Sequence, residues 1–113
     1  LNSFHILTTE VVGLEDFQSG FLNFNARVVE SAGAIFLAAT CGFGCLGSID
    51  VTSLLVKSES FDGYSVPLKC LIDKGLDLSK TISPMILFGP ADLTIDFKNI
   101  SISKNSLKKK FSC

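Results

Sequence analysis

Apolar and polar positions alternate with a period of two along most of this chain. From Phe21 to Val28, Leu22, Phe24, Ala26 and Val28 fall on one face and Asn23, Asn25 and Arg27 on the other. Successive side chains of a strand point to opposite faces, so this segment is predicted to be a half-buried strand. Leu93, Ile95 and Phe97 alternate with Thr94, Asp96 and Lys98 in the same way, but after Asn99 the apolar positions become Ile100 and Ile102. A one-residue slip of phase predicts a bulge or bend near Asn99. Leu107, Phe111 and Cys113 share a parity opposite Lys108 and Lys110, which predicts a closing strand.

Other segments are apolar on both faces. Residues 34–39 fit a central strand or a buried helical turn, since periodicity cannot separate the two. Residues 48–56, rich in Val, Thr, Ile and Leu, read as a strand. Met85–Phe88 reads as a short strand between Pro84 and Gly89-Pro90, and the first twelve residues as a further one. Leu14–Phe17 fits one short helical turn. Turn signals stand at Gly13, Ser19-Gly20, Ser31–Gly33, Gly42/Gly44/Gly47, Asp62-Gly63, Asp73–Gly75 and Gly89-Pro90. Strands at these intervals predict an all-β chain, an immunoglobulin-like two-sheet β-sandwich of about 7–8 strands forming one domain over 1–113.

Composition narrows what such a sandwich does. Apolar residues make up 47% of the 113 residues and charged residues 19%, a globular balance. The net charge of −1 argues against a nucleic-acid partner, which selects a strong positive excess. The stretch from Ala32 to Leu46, broken by Thr40 and glycines, is shorter than the roughly 20 residues that span a bilayer. No transmembrane segment is therefore expected. A start at Leu1 implies a processed or excised chain. Charge is uneven: residues 1–68 hold seven acids against Arg27 and Lys57, and residues 69–113 hold eight lysines against four acids. The cluster Lys104, Lys108, Lys109 and Lys110 suits a solvated sheet edge that resists aggregation, or attraction of an anionic headgroup.

Four cysteines in a short chain imply disulfides and an oxidising, extracellular compartment. Three pairings are open, and Cys41–Cys45 with Cys70–Cys113 is preferred because Gly42 and Gly44 let a very short loop close. No metal is expected, since His5 is the only histidine and there is one CxxxC. Asn99-Ile100-Ser101 is a glycosylation sequon suited to a secreted chain. Nucleophile–histidine chemistry would depend on His5 alone, no GxSxG elbow or phosphate loop occurs, and Glu15-Asp16 and Asp62 read as loop charges. An enzyme is not expected, and no cofactor is implied.

What remains is apolar surface. Phe24, Phe36, Phe88 and Phe97, with Val28, Val56, Ile86 and Ile95, form a set able to line a cavity or simply to fill the core.

The run Val66–Gly75, with Pro67, Cys70 and Lys74-Gly75, resembles the cysteine-proline-lysine-glycine turn of MD-2-related lipid-recognition domains. Thr81–Pro84, Leu93–Ile102 and Leu107–Cys113 follow in that family's order. Leu71 stands where the family has Pro, and no cysteine precedes Cys41. The resemblance implies a secreted, non-catalytic sandwich holding a lipid, fatty acid or sterol between its sheets, with those eight apolar residues around it. Residues 91–102 equally suit an immunoglobulin-like domain of a membrane-fusion glycoprotein. The alternative is therefore an extracellular protein-interaction module with a filled core, binding a protein receptor as part of a larger glycoprotein, a venom component or an effector. A carrier hides its phenylalanines around a void, whereas an interaction module exposes them in one patch.

Overall fold

The computed structural model describes residues 2–6, 18–31, 33–42, 44–80, 83–90 and 92–113. The strand-like Thr8–Val12 and the helical turn at Leu14–Phe17 lie outside them. Eight strands run in the described residues: β1 (Asn2–Ile6), β2 (Phe21–Glu30), β3 (Phe36–Gly42), β4 (Cys45–Asp50), β5 (Asp62–Pro67), β6 (Ser83–Gly89), β7 (Thr94–Ser103) and the two-residue β8 (Lys109–Lys110). One short helix, α1 (Leu68–Ile72), and a 3-10 turn at Leu78–Lys80 complete them. The strands form two four-stranded sheets, in the orders β1-β6-β3-β4 and β7-β2-β5-β8. The fold is the two-sheet β-sandwich that the alternation predicts.

The core follows from that alternation. Leu22, Phe24, Ala26 and Val28 are all fully buried, and Tyr64 and Val66 of β5 join them. Phe24 stacks on Tyr64 with ring centroids 5.7 Å apart and meets Phe97 at a tilt across the same distance. Leu37, Ala39, Ile49, Met85 and Leu87 supply the other sheet's side of the core. Burial of one such large side chain contributes about 1.5–3 kcal/mol, so this alternation is the main determinant of register.

The phase slip near Asn99 is a bulge in β7. Asn23 pairs with Ser101 but Asn25 with Lys98, leaving one extra β7 residue opposite Phe24. Asn99 there has φ of +57°, the left-handed region an asparagine tolerates. A second bulge puts the extra residue in β2, between the Val28–Ile95 and Glu30–Thr94 pairs. In the interior strand β6 the register also slips, between its pairs with Ala38 and Thr40. Pro84 lies in that slip, where its missing N–H interrupts no regular ladder.

Three elements differ from their sequence expectation. The strand expected over 48–56 is β4, which ends at Asp50. There the Asp50 carboxylate accepts the N–H and hydroxyl of Thr52, an Asx-type turn that ends the ladder. Asp62-Gly63, expected as a turn, opens β5. The closing strand expected over 107–113 is reduced to β8, which pairs in parallel with β5. The chain reaches β8 through a strap, residues 104–108, that crosses the outer face of its sheet. Gly63 makes room for it: a Cβ at Gly63 would stand 3.2 Å from the Leu107 Cβ. Asn23 Nδ2 donates to the Asn105 carbonyl at 2.8 Å and the Leu107 N–H donates to Ser65 Oγ at 2.6 Å.

Both preferred disulfides are present. Cys41–Cys45 closes the β3–β4 hairpin with Cα atoms 5.1 Å apart, and Cys70–Cys113 ties α1 to the chain beyond β8 with Cα atoms 5.7 Å apart.

Candidate functional site

Four separate segments converge beside the edge strand β4. Phe36 opens β3, and Ser48, Ile49 and Asp50 close β4. Cys70, Asp73 and Lys74 come from α1 and the turn after it, and Phe111 and Cys113 from the segment following β8. Together they line a groove of about 550 Å³. The Cys70–Cys113 bond is part of its lining, so the α1 wall and the Phe111 wall are joined covalently.

Each wall has a local cause. Pro67 precedes α1 with φ of −58°, preset for a helix start, and Gly75 after it has φ of +116°. The Leu76 N–H reaches the Leu71 carbonyl and the Gly75 N–H the Ile72 carbonyl, the Schellman pattern that ends a helix. Asp73 and Lys74 are exposed in that ending. The helix lies close on β4 because position 47 lacks a side chain: a Cβ at Gly47 would stand within 2.4 Å of the Leu71 carbonyl oxygen. On the third wall, the Phe111 N–H donates to the Ser65 carbonyl at 2.8 Å, which continues the β5–β8 ladder and turns the ring toward the core margin.

The lining mixes two chemistries. Phe36 is 37% exposed on the rim, and Phe111 is half-buried. Around these rings stand the carboxylates of Asp50 and Asp73, the ammonium of Lys74 and the hydroxyl of Ser48. The Thr52 hydroxyl, and then the Thr52 N–H, hold the Asp50 carboxyl below its ordinary value of 3.8. Both donate to Oδ1, so Asp50 is ionised and oriented at neutral pH.

Of the eight apolar residues singled out in the sequence, only Phe36 lines this groove. Phe24 and Val28 are fully buried in the core, and Ile95 and Phe97 pack half-buried against it. Ile86 alternates with the core residues Met85 and Leu87 and pairs in register with Ala38, outside the core cluster. Phe88 is half-buried opposite Phe36. Val56 is 52% exposed in the loop after β4. Ser48, Asp50, Asp73, Lys74 and Phe111 were not candidates on sequence. Their signals, Asp50-x-Thr52 and a phenylalanine two residues before Cys113, are too short to mark a site. Among the described residues no cluster of three or more metal-ligating side chains occurs, and no helix is long and apolar enough to cross a membrane.

A model of galactose-binding-like domains, Exop_C, matches residues 11–102. The chain belongs to the galactose-binding domain-like family. This overturns the resemblance to MD-2-related lipid-recognition domains. The motif that suggested it is helix punctuation: Pro67 starts α1 and Lys74-Gly75 ends it, a pattern any short helix produces. The expectation of an apolar ligand between the sheets loses the support it drew from that resemblance. The galactose-binding-like fold is also seen in a solved structure, the exo-1,3/1,4-beta-glucanase (ExoP) from a Pseudoalteromonas species. Its TM-score is 0.77 at 18% identity over 98% of this chain. The chain spans only 14% of that protein's length. No curated protein matches the chain.

Proposed function

We propose that this galactose-binding-like chain is a non-catalytic carbohydrate-binding module and that the groove beside β4 holds the sugar. The observation that carries the reading is the pairing of Phe36 and Phe111 with Ser48, Asp50, Asp73 and Lys74 around one groove. A pyranose has apolar C–H faces and an equator of hydroxyls. Phenylalanine rings cover the faces, and carboxylate acceptors and an ammonium donor bind the equator. Asp50, fixed by Thr52 through Oδ1, presents its second oxygen without reorganisation. The family's description and the likeness to part of a β-glucanase support a glycan ligand. β-1,3/1,4-Glucan is the first candidate and galactan the second. The role is to hold an enzyme or another partner domain against polysaccharide.

Two disulfides and a sequon fit an extracellular protein. Asn99 is exposed on the edge strand β7, at its bulge, and is proposed as the acceptor of an N-linked glycan. Expression in a eukaryotic secretory host should give a glycan mass that Asn99→Gln removes; an unmodified wild-type mass rejects the site.

The module reading is tested by native gel electrophoresis through soluble β-1,3/1,4-glucan and through galactan. Retardation by at least one polymer is expected, reduced at least tenfold in affinity by Phe36→Ala or Phe111→Ala with unchanged circular dichroism. Equal migration with and without either polymer overturns it. Uptake of a fluorescent fatty acid by the same sample would return the apolar-ligand expectation to first place.

A further inference from the structure

We propose that the Cys70–Cys113 bond makes the groove thiol-responsive: its reduction withdraws Phe111 and abolishes glycan binding while the sandwich stays folded. The inference rests on the carbohydrate reading and adds regulation to it.

The bond joins two walls of the groove that little else joins. Cys70 is 1% exposed inside α1, and α1 is packed on β4 through Gly47. Cys113 is exposed and follows Phe111 by two residues. Phe111 has one backbone hydrogen bond, to Ser65. Among the described residues, Ser112 and Cys113 have no hydrogen bond or ion pair, so the disulfide is what tethers them to the fold. Preceding them, β8 is two residues long. With the bond cut, the Phe111 ring is retained by a short edge ladder and partial burial alone.

Access favours this cut. Exchange needs a thiolate to reach one sulfur, and exposed disulfides are the labile ones. A dithiol thiolate attacks the exposed Cys113 Sγ, forming a mixed disulfide and breaking the S–S bond. Cys70 leaves as a thiolate and takes a proton from water. The second thiol of the reagent then attacks its own sulfur in the mixed disulfide. Cys113 leaves and is protonated, and the reagent departs as a cyclic disulfide, having given up two electrons.

The second disulfide is the internal control. Cys41–Cys45 spans a hairpin whose strands are paired from Phe36–Asp50 to Gly42–Cys45. Neither cysteine lines the groove. Its loss leaves Phe36 and Asp50 in register.

The experiment compares retardation in soluble β-1,3/1,4-glucan, or in galactan if that is the polymer bound, for five samples. They are the oxidised chain, the chain in dithiothreitol, the pair Cys70→Ser/Cys113→Ser, the pair Cys41→Ser/Cys45→Ser, and Phe111→Ala. Circular dichroism is recorded on each. Affinity is expected to fall at least tenfold in dithiothreitol, in Cys70→Ser/Cys113→Ser and in Phe111→Ala, with spectra unchanged. Cys41→Ser/Cys45→Ser should bind as the oxidised chain does and lose binding in dithiothreitol. Binding within twofold of the oxidised chain in a folded Cys70→Ser/Cys113→Ser variant overturns the inference. Loss of the folded spectrum on reduction overturns it too, because the bond then holds the sandwich rather than a wall. Failure of the oxidised chain to bind either polymer overturns the carbohydrate reading itself, a separate result.

Discussion

The Ser65 hydroxyl donates to Asn23 Oδ1 at 2.6 Å, joining two polar side chains that are buried on neighbouring strands. The pair has a task. Asn23 also donates to the Asn105 carbonyl, and Ser65 accepts the Leu107 N–H. Together they fasten the strap that delivers β8 to the sheet edge. Removing one member leaves a buried polar group unpaired, which costs about 1–3 kcal/mol. Ser65→Ala and Asn23→Ala are each expected to lose stability of that size in urea unfolding. The Leu107 amide should exchange faster with solvent in both. Unchanged protection of Leu107 would remove the strap's dependence on this pair.

Gly47 and Gly44 should respond differently to alanine. At Gly47 the new methyl meets the Leu71 carbonyl, which belongs to α1 and cannot swing aside. Overpacking of this kind costs typically about 1–3 kcal/mol, and here it also pushes α1 from β4. At Gly44 the added methyl has open space, but φ of +75° strains the backbone by about 1–2 kcal/mol. Thermal unfolding should register both substitutions. Only Gly47→Ala should disturb the backbone resonances of Asp73 and Lys74.

The two disulfides should differ in their effect on stability. Cys70–Cys113 closes a separation of 43 residues and Cys41–Cys45 one of 4. On the chain-entropy model these constrain the unfolded state by about 4 and about 2 kcal/mol. Guanidinium unfolding of the two serine pairs should reproduce that order. The reverse order would show that native-state contacts of the hairpin, rather than loop length, dominate.

Acid should weaken the fold through Asp50 and Asp77. Each carboxyl is held below its ordinary 3.8, Asp50 by the hydroxyl and N–H of Thr52 and Asp77 by those of Ser79. A depressed folded-state value means that their stabilisation is present above the unfolded value and is lost as pH falls through the folded one. Thr52→Val should raise the Asp50 midpoint toward 3.8 in an NMR titration and remove the part of the acid sensitivity that Asp50 contributes. Lys109 carries the opposite sign. Its ammonium, held by Asp62 at 3.0 Å, has a raised value, and its stabilisation fades as pH climbs through that value.

The legible parts of this molecule are those written in local pattern. Leu22, Phe24, Ala26 and Val28 announce β2, and the slip after Asn99 announces its bulge, because a two-residue period makes any insertion visible. The helix α1 is invisible to periodicity, since five residues complete barely more than one turn. Its terminal Pro and Gly therefore passed as another family's motif. The strap is hidden because Gly63 reads as a turn, whereas its smallness serves Leu107, far along the chain. The groove is hidden for the same reason: Phe36, Asp50, Asp73 and Phe111 meet only through sheet order and a disulfide. The eight apolar candidates were chosen as cavity lining, yet the pleat sends Phe24 and Val28 into the packed core and the end of β4 leaves Val56 outside.

The Cys70–Cys113 bond also closes β6, β7 and the strap into one covalent ring. Lys104 and Lys108 are exposed on that strap. A trypsin nick at either lysine leaves two fragments still joined through Cys70. On a non-reducing gel the nicked molecule therefore runs as one chain, and reducing agent releases a short piece that carries Phe111.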